Sequence, residues 1–195
     1  TDVLAFINTG MVPTDKKIYV ENGIYTQNVL IDGTTSAYHK LLTGLIGVDG
    51  SAVTTLNGDV KVQGVTGGFT LSGFTINGST GLDDPENDPA VWMVNNTGTL
   101  TLTDLVVKDS ASDGIVISNQ AGAVTLTDVG SSDNDGRGAD IDNTRGIFAV
   151  TVTNAAFDDN SHAGDGSGLN VNSKGAVTVN GISASRNKGQ GAAIT

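Results

Sequence analysis

Five stretches of the chain repeat one short pattern: Phe69-Thr-Leu-Ser-Gly73, Leu100-Thr-Leu-Thr-Asp104, Val124-Thr-Leu-Thr-Asp128, Val150-Thr-Val-Thr-Asn154 and Val177-Thr-Val-Asn-Gly181. Their first residues lie 31, 24, 26 and 27 positions apart. Within each, apolar residues alternate with Thr, Ser or Asn, the period of a strand that buries one face. Self-similarity at this spacing signals stacked units that bury together what none can bury alone.

The coil that begins at Val124 shows the grammar. Val124 and Leu126 alternate with Thr125 and Thr127, and Asp128 breaks the alternation. Val129 to Ser131 reads as a second short strand, followed by the turn-rich run 132–138. Ala139 and Ile141 alternate with Asp140 and Asp142 in a third strand. The third strand recurs as Val91-Trp-Met93, Ile115-Val-Ile117, Leu169-Asn-Val171 and Ala192-Ala-Ile194. The middle one recurs as Phe74-Thr-Ile76, Leu105-Val-Val107, Ala155-Ala-Phe157 and Ile182-Ser-Ala184. Like residues above like predict an all-β, parallel solenoid with three short strands per coil, one rung about 4.8 Å above the next.

Turn residues align as well. Asn134, Asn160 and Asn187 are expected at one corner, and Asn95, Asn119 and Asn143 at another with Ser173 next in line. Stacked amides satisfy one another and the turn backbone. The start differs: Asp2 to Asn8 has helical character, Thr1 or Asp2 able to cap it and Gly10 to end it. Such a helix would cover the open sheet edges of the first coil. The chain is thus divided into an N-terminal cap (1–17), irregular first coils (18–67) and regular coils (68–195). It reads as one domain and as a piece of a longer protein.

Composition narrows the function. The 195 residues carry 27 glycines, ten Lys plus Arg and a net charge of −11. Nucleic acid is disfavoured as a partner, since phosphate binding needs a basic face. There is no cysteine to report on redox compartment. No apolar run is long enough to span a membrane, so no membrane insertion is expected of this segment.

The run Ile18-Tyr-Val, Gly23-Ile-Tyr25 and Asn28-Val-Leu-Ile31, together with Gly73-Phe-Thr-Ile-Asn-Gly78, resembles the pectin-lyase-like superfamily. The later repeats resemble the β-helix arrays of large bacterial cell-surface or secreted proteins. The resemblance implies a right-handed, single-stranded parallel β-helix with an N-terminal capping helix, and an extracellular or cell-surface location. The fold hosts many functions, so activity must be argued from sites.

Many members of that superfamily cleave polysaccharides. Polygalacturonase-type members carry Asn-Thr-Asp, Asp-Asp, Gly-His-Gly and Arg-Ile-Lys motifs, because one carboxyl must donate a proton while another activates water. Here Asn143-Thr144 is followed by Arg145, Asp158-Asp159 stands in a turn, and His162 lacks its glycine frame. Pectate-lyase-type members hold calcium with carboxylates beside a basic residue. Asp140 and Asp142, with Arg137 and Arg145 flanking them and Asn170 and Asn172 one coil above, form the best polar constellation for that chemistry.

Three further features stand out. Asp83, Asp84, Glu86 and Asp88 crowd one insertion and are expected on one edge with Asp109, Asp113, Asp133, Asp135, Asp158, Asp159 and Asp165. A bound Ca²⁺ would relieve their repulsion. Trp92, the single tryptophan, faces outward beside Val116, where it could stack on a sugar, and the 77–89 loop is expected to fold over it. Two outward ranks, Thr70/Ser72, Thr101/Thr103, Thr125/Thr127, Thr151/Thr153 and Thr178/Asn180, resemble the ice-binding faces of some β-helical antifreeze proteins.

The reading that results is a non-enzymatic, surface-presenting segment of a secreted or cell-surface protein. It would serve adhesion or contact a polysaccharide or another surface component. A polysaccharide lyase or hydrolase is the alternative, and ice binding a third.

Overall fold

The structure is a computed structural model that describes residues 16–78, 88–161 and 166–195. The expected capping helix and His162 lie outside the described residues. Two parallel sheets run the length of the molecule. The first joins Lys17–Val20, Gly44–Gly47, Phe69–Asn77, Leu100–Lys108, Val124–Ser132, Val150–Thr153 and Val177–Asn180. The second joins Val29–Asp32, Val60–Gln63, Val91–Val94, Ile115–Ser118, Ala139–Asn143, Leu169–Ser173 and Ala192–Ile194. A shorter third face pairs Gly23–Thr26 with Thr54–Asn57, continues into residues 75–77, and reappears as bridges linking Gly130, Ala156 and Ser183. The chain is therefore the all-β parallel solenoid that its repeats predict.

Alternation places the apolar residues inside, where register stacks them. Ile18, Leu45, Leu71, Leu102, Leu126 and Val152 form one buried column. Ile31, Val62, Met93, Ile117, Ile141 and Val171 form another on the facing sheet. Each such side chain contributes about 1.5–3 kcal/mol by leaving water. In the last coil Val177 and Val179 are only half-buried and Ile194 is 48% exposed.

One expectation needs correction. The first and middle strands of a coil are not separate in Phe69–Asn77, Leu100–Lys108 and Val124–Ser132, which run unbroken for nine residues. The residue expected to break them adopts a left-handed conformation instead: φ is +79° at Gly73, +49° at Asp104 and +53° at Asp128. A single such residue turns the strand around the corner and resets which side chains face inward. The hydrogen-bond ladder to the coils above and below survives. Asn154 (+50°) and Gly181 (+62°) continue the column. Every residue in it is Gly, Asp or Asn, the types that tolerate this region.

The Asn134 corner forms as expected. Asn134 Nδ2 donates to Asn160 Oδ1, the Asn160 N–H donates to Asn187 Oδ1 at 2.9 Å, and the Ser110 N–H donates to Asn134 Oδ1 at 3.1 Å. The other corner forms only in part. Asn119 donates to Asn95, but Asn143 is buried and donates to the Phe148 carbonyl at 2.9 Å. The strand Ala139–Asn143 runs one residue longer than Ile115–Ser118, so Asn143 stays in the ladder, paired with Ser173.

Candidate functional site

The outer surface of the second sheet carries the polar constellation. Register sets Lys61, Trp92, Val116, Asp140 and Asn170 in one outward column. Gln63 and Val94 begin a second column, in which Asp142 pairs with Asn172. Trp92 lies beside Val116 as expected, and Lys61 Nζ sits 3.8 Å from the centre of its ring. The 77–89 loop expected over Trp92 falls largely outside the described residues.

Asp140 meets both partners anticipated for it. Arg137 Nη1 donates to its Oδ2 at 2.7 Å, and Asn170 Nδ2 donates to its Oδ1 at 2.7 Å. Asp142 does not join them. Its Oδ1 accepts from the Thr144 N–H at 3.0 Å and the Thr144 hydroxyl at 2.7 Å, a local turn that the adjacent Thr makes available. Arg145 points away and donates to the Asn119 carbonyl at 3.5 Å. The structure thus brings together Asp140, Arg137 and Asn170, and separates Asp142 and Arg145 from them.

Asp113 belongs to this group, whereas the sequence reading placed it only on an acidic edge. Its Oδ1 accepts from the Arg137 N–H at 2.5 Å. Burial pushes its carboxyl above the usual range and the nearby Asp140 charge adds to that, with Arg137 opposing both. The signal was present in the repeat: Asp113-Gly114 and Arg137-Gly138 occupy the same place in successive coils, and the Gly114 N–H donates to the Arg137 carbonyl at 2.8 Å.

The acidic edge is organised by backbone geometry. Asp109, Asp133 and Asp159 are left-handed, with φ of 58°, 57° and 57°, and Arg186 continues the series at 56°. Arg186 closes two bonds of 2.6 Å on the Asp159 carboxylate. Asp158 accepts from the Ser183 hydroxyl and from the Ser185 N–H and hydroxyl. Burial works to raise its pKa, but these bonds and Arg186 outweigh it and hold the carboxyl below its usual range. Among the described residues no group of three His, Asp or Glu side chains could hold a metal ion. Asp83, Asp84, Glu86 and Asp165 lie outside the described residues, and Asp88 is half-buried at their margin.

Parallel in-register coils around one apolar interior define the class of the molecule: a parallel β-helix, the architecture implied by the pectin-lyase-like resemblance. Among solved structures the chain is similar to the A-module of a mannuronan C-5 epimerase from Azotobacter vinelandii, at 14% identity and a TM-score of 0.47, over 100% of this chain and 70% of that one. That is a likeness of overall fold. No protein-family model matches the chain, and no curated protein sequence does.

Proposed function

We propose that the chain is a rigid, non-enzymatic, surface-presenting solenoid of a secreted or cell-surface protein, with the Trp92 face of the second sheet contacting carbohydrate. The observation that carries this reading is the state of Asp140. Its two oxygens are engaged at 2.7 Å by Arg137 and Asn170, so it is neither a free base nor an open metal ligand. Asp142, the other carboxylate on that face, is engaged by its own turn. A half-exposed indole beside amides and a lysine suits a sugar ring, which offers a C–H face and a rim of hydroxyls.

One observation favours the alternative of a polysaccharide lyase or hydrolase. Asp113 has a raised pKa and lies one hydrogen bond from Arg137, hence close to Asp140, and unequal carboxyls are what acid–base cleavage uses. Incubation with uronate and neutral polysaccharides, in calcium and in chelator, separates the two. No turnover is expected, together with retarded migration in polysaccharide gels that Trp92→Ala abolishes. Cleavage lost in Asp140→Ala overturns the scaffold reading.

A further inference from the structure

The first sheet shows the opposite chemistry on its outer face. Register places Thr70, Thr101, Thr125, Thr151 and Thr178 in one straight column, and Ser72, Thr103, Thr127, Thr153 and Asn180 in the next. Ten successive outward positions thus hold eight threonines, one serine and one asparagine, and no charge or ring, in a chain whose net charge is −11. Coil length varies from 24 to 31 residues, yet the register across these columns never slips. The variation is absorbed elsewhere in each coil.

The polar groups of the second sheet are engaged by neighbours. Those of the threonine columns are not: among the described residues none of the eight hydroxyls makes a hydrogen bond within the protein, although hydroxyls such as those of Thr75 and Thr144 do. Thr is stiff about χ1, so each column holds its methyls and hydroxyls in a repeated orientation. Rows are roughly 4.8 Å apart along the solenoid and roughly 6.6 Å apart across the two columns. The residues just before each strand are small: Gly68, Thr99, Ala123, Ala149 and Ala176.

We propose that this face binds ice. A repeating array without charge or aromatic surface has little to offer a sugar or an ion. It matches a ligand that is itself a lattice of hydroxyl-like oxygens, and the two spacings are close to the short oxygen repeats of hexagonal ice. Methyls occupy the open positions between lattice oxygens, and hydroxyls take the place of surface waters. Preorganisation matters because each bond is weak and the face must engage all of them together. The proposal concerns the sheet opposite the Trp92 face, so each reading can fail alone.

The test cools the full chain with a seed crystal, reads the gap between melting and freezing temperatures, and measures the fraction of protein taken into growing ice. The expected result is a measurable gap, faceted crystals and enrichment in ice. Thr125→Lys/Thr127→Lys, at the centre of the array, should abolish both with an unchanged circular dichroism spectrum. Ser118→Lys on the other sheet should leave them intact. Should the lysine variant unfold, Thr125→Ser/Thr127→Ser, which keeps hydroxyls and removes methyls, must shrink the gap. A folded chain that shows no gap and is excluded from ice overturns the proposal, as does a folded lysine variant with full activity.

Discussion

Asn134 and Asn160 are joined across one coil: the Asn134 side-chain amide donates to Asn160 Oδ1 at 2.9 Å, with both residues at most 1% exposed. Asn160 in turn donates to the carbonyls of Ser131 and Asp158, at 2.9 and 3.0 Å. One side chain therefore satisfies backbone and side-chain groups of two coils. Asn160→Ala leaves the Asn134 amide and the Ser131 carbonyl buried without partners, a loss on the order of 3 kcal/mol. Urea unfolding followed by far-ultraviolet circular dichroism should show it. Asn160→Asp should fare no better, because it keeps the acceptor but removes the donor and buries a charge.

Gly73 and Gly47 touch backbone to backbone at the corner between the first and third faces. A Cβ on Gly73 would stand 2.3 Å from the Gly47 carbonyl oxygen, and its φ of +79° already disfavours any side chain. Gly73→Ala should cost at least about 2 kcal/mol, since neither strain nor clash can relax without moving a sheet. Gly130→Ala is the contrast. There the nearest atom is 3.9 Å away, and the change should be neutral or stabilising by up to about 1 kcal/mol. Equal losses at the two positions would contradict this corner geometry.

His39 should make the molecule less stable in mild acid. It is 5% exposed, and its Nδ1 accepts the Asp32 N–H at 3.1 Å, which leaves the proton on Nε2. Burial pushes the imidazole below its ordinary value of 6.5, against the opposing pull of the Asp32 carboxylate. A second proton would have to enter at Nδ1, facing a donor. Because the folded pKa is depressed, this contribution is fully present above the unfolded value and is lost as pH falls through the folded one. Melting temperatures should fall from pH 7 to pH 5, and His39→Gln should flatten the slope. Asp32 adds nothing in that window. Burial works to raise its carboxyl, but bonds from Thr34, Gln63 and Thr35 outweigh it and hold it far below the usual range.

Lys61 lies over the Trp92 ring on the candidate carbohydrate face. Removing it with Lys61→Ala should cost about 0.5 kcal/mol and make Trp92 fluorescence easier to quench with acrylamide. Unchanged quenching would mean that Lys61 does not shield the ring in solution.

Much of this was legible in the chain. The inward residues of the regular coils, the pairing of the threonine columns and the Asn134–Asn160–Asn187 corner follow from period and alignment alone, because in-register stacking converts sequence similarity into contact. The misreadings share a cause. Asp104 and Asp128 look like breaks, and only the backbone shows that a left-handed residue can turn a strand without ending it. Asp142 looked like a partner of Asp140, but Thr144 is nearer in sequence and claims it first. Asp113 was assigned to a loop edge because its contact is with the Arg137 main chain, and main-chain contacts leave no residue-type signature.

The half-exposed Val177 and Val179 and the 48% exposed Ile194 of the last coil bear on mechanics. Each coil is fastened to its neighbours by a strip of short parallel pairings, and the outermost by one strip only. Traction on the C-terminus would therefore peel the solenoid rung by rung, with the interior untouched until its turn. Each rung would release its own 24 to 31 residues, a length of slack on the order of 80–110 Å. Such a molecule is a spring-loaded tether that yields in measured steps under load, while its remaining faces keep their geometry.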